Sequence, residues 1–229
     1  MKIFKKIIII GLILMTNGFV NAQIVDNYGI KIGVGLSNQY WEFKNSMLSD
    51  LSEWNENKIS FTGQIYAEKL FGKYISLRPV FGYIQKGFVD DITFTTIDGE
   101  ELAIKDNKVV LHDLSLDLSI KVIPIQKSVK PYILLGLRGD YLMDYRSVIV
   151  DFQGEDYELN TDLYDDFNKL TIGGLIGIGL SYNNLMFIDF EYNPAITKNF
   201  ESDLLVIHDK YFSLTLGLNI NQLINNKNE

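Results

Sequence analysis

The last regular stretch of the chain, YFSLTLGLNI from Tyr211 to Ile220, alternates without a break. Phe212, Leu214, Leu216, Leu218 and Ile220 fall on one face, and Ser213, Thr215, Gly217 and Asn219 on the other. A period of two predicts a strand with one apolar and one polar face. The pattern recurs upstream. IKIGVGLS sets Ile30, Ile32, Val34 and Leu36 against Lys31, Gly33, Gly35 and Ser37. ISFTGQIYAE sets Ile59, Phe61, Ile65 and Ala67 against Ser60, Thr62, Gln64, Tyr66 and Glu68. YISLRPVFGYIQKGF sets Ile75, Leu77, Phe81 and Tyr83 against Ser76, Arg78, Gly82 and Lys86. In DLSLDLSIKV, Leu114, Leu116, Leu118, Ile120 and Val122 oppose Asp113, Ser115, Asp117, Ser119 and Lys121. YILLGLRGDYLMDY alternates more loosely, and LTIGGLIGIGLSY and LMFIDFEY complete a set of eight strands. An even number of strands suits a closed up-and-down barrel.

The pattern alone leaves open which face is inside. A soluble barrel turns its apolar face inward, whereas a membrane barrel turns it outward to lipid. The links between strands discriminate. Long links, roughly residues 38–57, 89–108, 146–168 and 193–209, follow strands one, three, five and seven; the others are as short as FGK, PIQKSV and NN. Long loops at one end and tight turns at the other are the habit of outer-membrane barrels. The polar face also carries Gly33, Gly35, Gly173, Gly177 and Gly179, as a crowded eight-stranded lumen requires. It further carries Lys31, Arg78, Lys86, Lys121 and Arg138 with Glu68, Asp113, Asp117, Asp140, Asp189 and Glu191, charges that can pair across a narrow interior. Tyr74, Tyr132 and Tyr182 near the short turns, and Tyr141, Tyr145, Tyr192, Tyr211 and Phe212 near the long loops, suit two interfacial girdles.

Composition adds the compartment. MKIFKK is a basic start, IIIIGLILM an apolar core, and FVNA a small-residue ending, which together read as a secretory signal over residues 1–22 cleaved between Ala22 and Gln23. The apolar run is too short for a spanning helix, which needs roughly 20 residues. The barrel domain is then residues 23–229. The formal net charge is −8, and loss of the three signal lysines leaves about −11. Nucleic acid is not a partner for such a surface, because phosphate neutralisation needs basic charge. With no Cys in the chain, stability must come from the sheet rather than from disulfides.

Four segments, SLRPVFGYIQKGF, KPYILLGLRGDYL, GGLIGIGLSY and FSLTLGLNI, resemble the recurrent strands of the PorT-like outer-membrane β-barrel proteins of Bacteroidetes. The resemblance runs in order through most of residues 23–229 and includes Pro79, which forfeits a ladder bond within its strand. It implies an eight-stranded outer-membrane barrel with no catalytic residues, and a connection to secretion and gliding machinery. The chain departs from outer-membrane barrels in one respect: beyond Ile220 it continues NQLINNKNE instead of ending its strand on an aromatic.

Two acidic loops are candidates for function. The second long link holds Asp90, Asp91, Asp98, Gly99, Glu100, Glu101 and Asp106, with ITFTT and ELAI flanking a turn at Asp98-Gly99 that predicts a hairpin. The third holds Asp151, Glu155, Asp156, Glu158, Asp162, Asp165 and Asp166. Such loops either bind a partner or divalent cations through oxygen ligands, or simply stay solvated; no calcium-loop spacing is present. His112 and His208 lie near the outer strand ends, and His112 with Asp113 or Ser115 would suit a general base in a lipid-modifying enzyme. Ser115, however, faces away from His112. Trp41 and Trp54 suit the headgroup region, and GGLIGIG lacks the Lys-Ser/Thr of a phosphate loop.

The expectation is an all-β, eight-stranded antiparallel up-and-down transmembrane barrel, monomeric, in the bacterial outer membrane. It is non-enzymatic and without cofactor or metal, in contact with outer-membrane lipid and with a protein partner at its extracellular loops. The alternatives are an outer-leaflet lipid-modifying enzyme and a soluble, lipocalin-like periplasmic carrier.

Overall fold

The computed structural model describes residues 25–45, 53–90, 103–152, 154–159 and 161–225. In chain order the strands are β1 (Asn27–Phe43), β2 (Glu53–Trp54), β3 (Glu56–Phe71), β4 (Ile75–Val89), β5 (Ala103–Asp106), β6 (Lys108–Val122), β7 (Val129–Arg146), β8 (Ile149–Phe152), β9 (Glu155–Glu158), β10 (Leu170–Tyr182), β11 (Met186–Pro194), β12 (Phe200–Glu201) and β13 (Leu205–Asn219). Two short helices, α1 (Thr161–Asp165) and α2 (Ile220–Asn225), complete the described chain. Ile220 therefore begins a helix instead of ending the last strand.

Eight long strands form the barrel: β1, β3, β4, β6, β7, β10, β11 and β13 pair antiparallel with their neighbours in sequence, and β13 closes on β1. The closing register runs from Gly29 opposite Asn219 to Phe43 opposite Leu205. Closure leaves no barrel edge, the condition for a sheet to cross a bilayer. At Pro79 the pairing of β4 with β3 lapses between Tyr66–Val80 and Lys69–Leu77, while that with β6 continues through Leu118. A proline, with no N–H to give, is tolerated on the side where the ladder is broken.

The alternation settles as apolar outward. Ile32 and Val34 are 53% exposed, Ile178 61% and Leu216 59%, whereas Lys31, Arg78 and Asp189 are at or near zero. A lipocalin-like carrier would show the reverse, so that alternative is overturned. The short turns all lie at one end. The one at Tyr182–Leu185 holds Asn183 and Asn184 at φ 47° and 56° and is closed by the Leu185 N–H donating to the Tyr182 carbonyl (2.9 Å). Two consecutive left-handed residues twist with the strands they join, which is why asparagine serves here.

Two tyrosines expected in the girdles lie inside. Tyr132 and Tyr211 are each 2% exposed. Both share the parity of the polar face, and a Cβ on Gly179 or Gly35 would overlap the Tyr132 or Tyr211 ring respectively. The lumen glycines thus make room for aromatic rings.

The third long link packs back on the barrel. Phe88, Val109, Leu111, Val148, Val150, Tyr164, Phe167 and Ile207 form a buried cluster across the outer mouth. Trp41 packs on this plug with its ring edge-on to Phe88 (5.9 Å), a correction to its expected headgroup position. Above the plug, β5, β8 and β9 form a separate three-stranded sheet. Ala103–Asp106, part of the expected hairpin, pairs with β8; the ITFTT arm, the Asp98-Gly99 turn, Glu100 and Glu101 lie outside the described residues, as do the signal segment and its cleavage point.

Candidate functional site

Inward-facing positions of neighbouring strands converge on two charge clusters. In the one nearer the short turns, Lys31 reaches Glu191 at 2.6 Å and Asp189 at 3.2 Å, and Arg78 reaches the same carboxylates at 3.3 and 2.7 Å. The Tyr132 hydroxyl also donates to Asp189. One level nearer the turns, Glu68 accepts from Ser76 at 2.6 Å and pairs with Lys121 at 3.1 Å. Three cations meet three carboxylates here.

Nearer the plug the balance changes. Lys86 is held by Asp140 (2.9 Å), Asp113 (3.3 Å) and Asp209 (3.3 Å). Arg138 binds Asp140 at 2.8 Å and lies 3.7 Å from Asp117. Two cations serve four carboxylates, and neutral donors make up part of the difference: the Gln39 and Asn199 amides donate to Asp209 at 2.9 and 2.7 Å. Among the described residues, neither carboxylate oxygen of Asp117 has a hydrogen-bond partner. Arg138 also donates to Asn193 at 2.7 Å and lies 4.6 Å from the Tyr211 ring centroid. Among the described residues no group of three His, Asp or Glu has metal-site geometry; in this cluster the Lys86 ammonium occupies the centre of the carboxylates.

All eleven charges assigned to the lumen from the sequence face it. Asp209, Gln39, Asn193 and Asn199 were missed because they fell in stretches read as loop. The signal was available for Asp209: two steps back from Ser213, through Tyr211, it keeps the inward parity. Ion pairs buried to this degree add little over an apolar filling, but removing one partner strands the other charge.

His112 turns outward beside Tyr83, whose hydroxyl lies 2.5 Å from its Nδ1. Asp113 and Ser115 face the lumen, the first paired with Lys86 and the second accepting from Gln64 at 3.1 Å. The acid–base set envisaged for lipid chemistry is therefore not brought together. His208 lies opposite Tyr40 on the far side of the barrel wall from β6.

Of the acidic loop residues, Asp151 lies on β8 and Glu155, Asp156 and Glu158 on β9. Lys105 on β5 bridges Asp151 (3.1 Å) and Asp156. Its hydrogen bond and the Gly154 N–H hold the Asp151 carboxyl below the usual range. Glu201, bonded by Lys198 (2.6 Å) and Lys44 (3.0 Å), is pushed down to about 2.

At the short-turn end the lumen opens into a cavity of about 210 Å³. Near the plug a cavity of about 20 Å³ lies beside Arg138 and Asp209, room for a single water. The interior is filled at one end and hollow at the other.

Residues 21–201 match the family described as outer membrane protein beta-barrel domain. A search of curated proteins finds no match. Among solved structures the chain is similar to OprG from Pseudomonas aeruginosa, with 11% identity and a TM-score of 0.48 over 84% of this chain and 95% of that one. It is also similar to Ail of Yersinia pestis (15% identity, TM-score 0.40, covering 84% and 97%). A third is the outer membrane enzyme PagL (14% identity, TM-score 0.39, covering 80% and 98%). The family match over most of the chain, on a closed eight-stranded barrel with an apolar belt, places this protein in the outer membrane protein beta-barrel domain family, a resident of the bacterial outer membrane.

Proposed function

We propose that the protein is a non-enzymatic, non-conducting barrel that presents an acidic platform to a positively charged protein partner outside the cell. The observation that carries this reading is the anchoring of the three-stranded sheet. Val148 and Val150 are 2% exposed in the plug, so β8 is fixed to the barrel wall and β9 beside it is held out on a rigid base. All four residues of β9, Glu155, Asp156, Tyr157 and Glu158, are exposed, and among the described residues β9 is an edge of its sheet. An edge strand accepts an incoming strand through its backbone, and its carboxylates disfavour pairing with a second copy while favouring a basic segment. The PorT-like character of the membrane strands supports a partner within a secretion or gliding assembly.

A photo-crosslinking amino acid in place of Tyr157, in living cells, tests this. The expected result is one dominant adduct that disappears when Glu155→Lys and Glu158→Lys are added. Absence of an adduct, or an adduct indifferent to the charge reversal, contradicts the proposal.

A further inference from the structure

The short-turn mouth offers a second surface, at the opposite end from the platform. With the outer mouth plugged, the 210 Å³ cavity is reached from the periplasmic side. Its walls include Leu70, Ile123, Tyr66 and Phe187, the two rings meeting edge-on at 5.1 Å. A dry cavity of about 150 Å³ is enough for benzene, so a ring with a polar substituent fits.

Three features of the lining specify the charge of that substituent. Lys73, Lys121 and Lys130 line the cavity against a single carboxylate, Glu68. Both oxygens of Glu68 are already engaged, Oε1 by Ser76 and Lys121 and Oε2 by Lys121 at 3.2 Å. Lys73 and Lys130 have no carboxylate within ion-pair distance among the described residues; Lys130 donates only to the Asn184 side chain at 2.9 Å. Lys121 sits 4.3 Å from the Tyr132 ring centroid, which orients its ammonium at the inner end of the cavity. Finally, Tyr66 and Ser181 are 5% and 6% exposed, line the cavity, and have hydroxyls with no hydrogen-bond partner among the described residues. Both hydroxyls open onto the cavity, where an anion can accept from them.

We propose that this mouth binds a small organic carboxylate with an apolar ring, its carboxylate accepting from the Tyr66 and Ser181 hydroxyls in the field of the three lysines and its ring resting on Phe187 and Ile123. The inner wall is closed by charge pairs, so the site holds its ligand without passing it through the barrel.

The test is fluorine NMR titration of 4-fluorobenzoate into the purified full-length protein in detergent, with 4-fluorobenzyl alcohol as the neutral isostere and protein-free micelles as the blank. The expected result is saturable binding of the carboxylate alone, weakened by salt. Tyr66→Phe, which removes only the hydroxyl, weakens it about tenfold, the worth of one hydrogen bond to a charged group. Lys73→Ala, in an exposed turn, with Lys130→Ala, half-buried at the start of β7, weakens it further. A gel mobility that still shifts on boiling, as expected of a closed barrel, shows that each variant is folded. Equal binding of alcohol and carboxylate, binding indifferent to both variants, or no binding beyond the micelle blank overturns the proposal.

Discussion

The same strands carry opposite polarity in their two halves. Along the lower part of β1, Ile30, Ile32, Val34 and Leu36 point out and Lys31, Gly33, Gly35 and Ser37 point in. Above Leu36 the outward positions become Asn38, Tyr40 and Glu42, and the inward series ends on Trp41 in the plug. β13 changes in the same way: Leu218, Leu216 and Leu214 face out, but upstream Lys210 and His208 do, while Ile207 is fully buried in the plug. Within the bilayer the medium is apolar and the charges are confined to the interior; above it the medium is water and the core is apolar as in a soluble protein. One backbone crosses from one solvent to the other, and its side-chain pattern inverts where the solvent changes.

The largest expected effects come from the two interiors, each by its own mechanism. Lys86→Met leaves Asp113, Asp140 and Asp209 without their shared cation and costs about 3–5 kcal/mol, read as a lowered urea midpoint for refolding into lipid. Phe88→Ala, just above it in the plug, costs a similar 3–5 kcal/mol through an apolar cavity. Lys31→Met costs less than Lys86→Met, because Arg78 still holds both Asp189 and Glu191. Equal losses at Lys31 and Lys86 would show that the charge clusters are not organised as described.

The outer surface sharpens the contrast. Leu216→Arg places a charge in the apolar belt and costs about 2–4 kcal/mol. Asn38→Arg, outward on the upper half of β1, changes stability by less than about 0.5 kcal/mol. Smaller again is the difference between two glycines. Gly179→Ala drives a methyl into the Tyr132 ring and costs about 1–3 kcal/mol, whereas a Cβ on Gly139 meets nothing nearer than 3.9 Å, so Gly139→Ala is close to neutral.

The least effect belongs to exposed loop charges. Glu201 has a folded pKa of about 2, below the ordinary glutamate value. The stability it contributes is fully present above the unfolded pKa and lost as pH falls toward 2. Carbon-detected NMR titration should place its midpoint near 2 at low salt, returning toward the ordinary value as salt screens Lys198 and Lys44. A midpoint already ordinary at low salt would mean those contacts do not persist in solution.

This inversion also explains how much was legible in the sequence. Inside the bilayer a period of two, with most apolar residues on one side and few exceptions such as Val80, Leu134 and Leu175, gave the eight strands, their closure and the eleven inward charges. Above it the outward face is mixed and the inward face passes from Gln39 and Asp209 to Trp41 and Ile207, so the upper parts of β1 and β13 read as loop; Asp209 and Gln39 went with them, and Asn199 with the link before β13. Trp41 was assigned to headgroups because tryptophan suits an interface, yet its odd position in β1 already placed it inside. Tyr132 and Tyr211 were likewise assigned by residue type when parity placed them in the lumen. The periplasmic cavity left no sequence signal, since its residues come from the ends of seven strands and the turns between them.

The central claim is the change of solvent along one strand, and the absence of native cysteine makes it directly measurable. Single cysteines at Ile30, Ile32, Val34, Leu36, Asn38, Tyr40 and Glu42, spin-labelled in reconstituted protein, can be compared for collision with oxygen, which concentrates in lipid, and with a water-soluble nickel chelate. Oxygen collisions are expected to dominate from Ile30 to Leu36 and nickel collisions from Asn38 to Glu42. Nickel dominance at Ile32 and Val34 would contradict it.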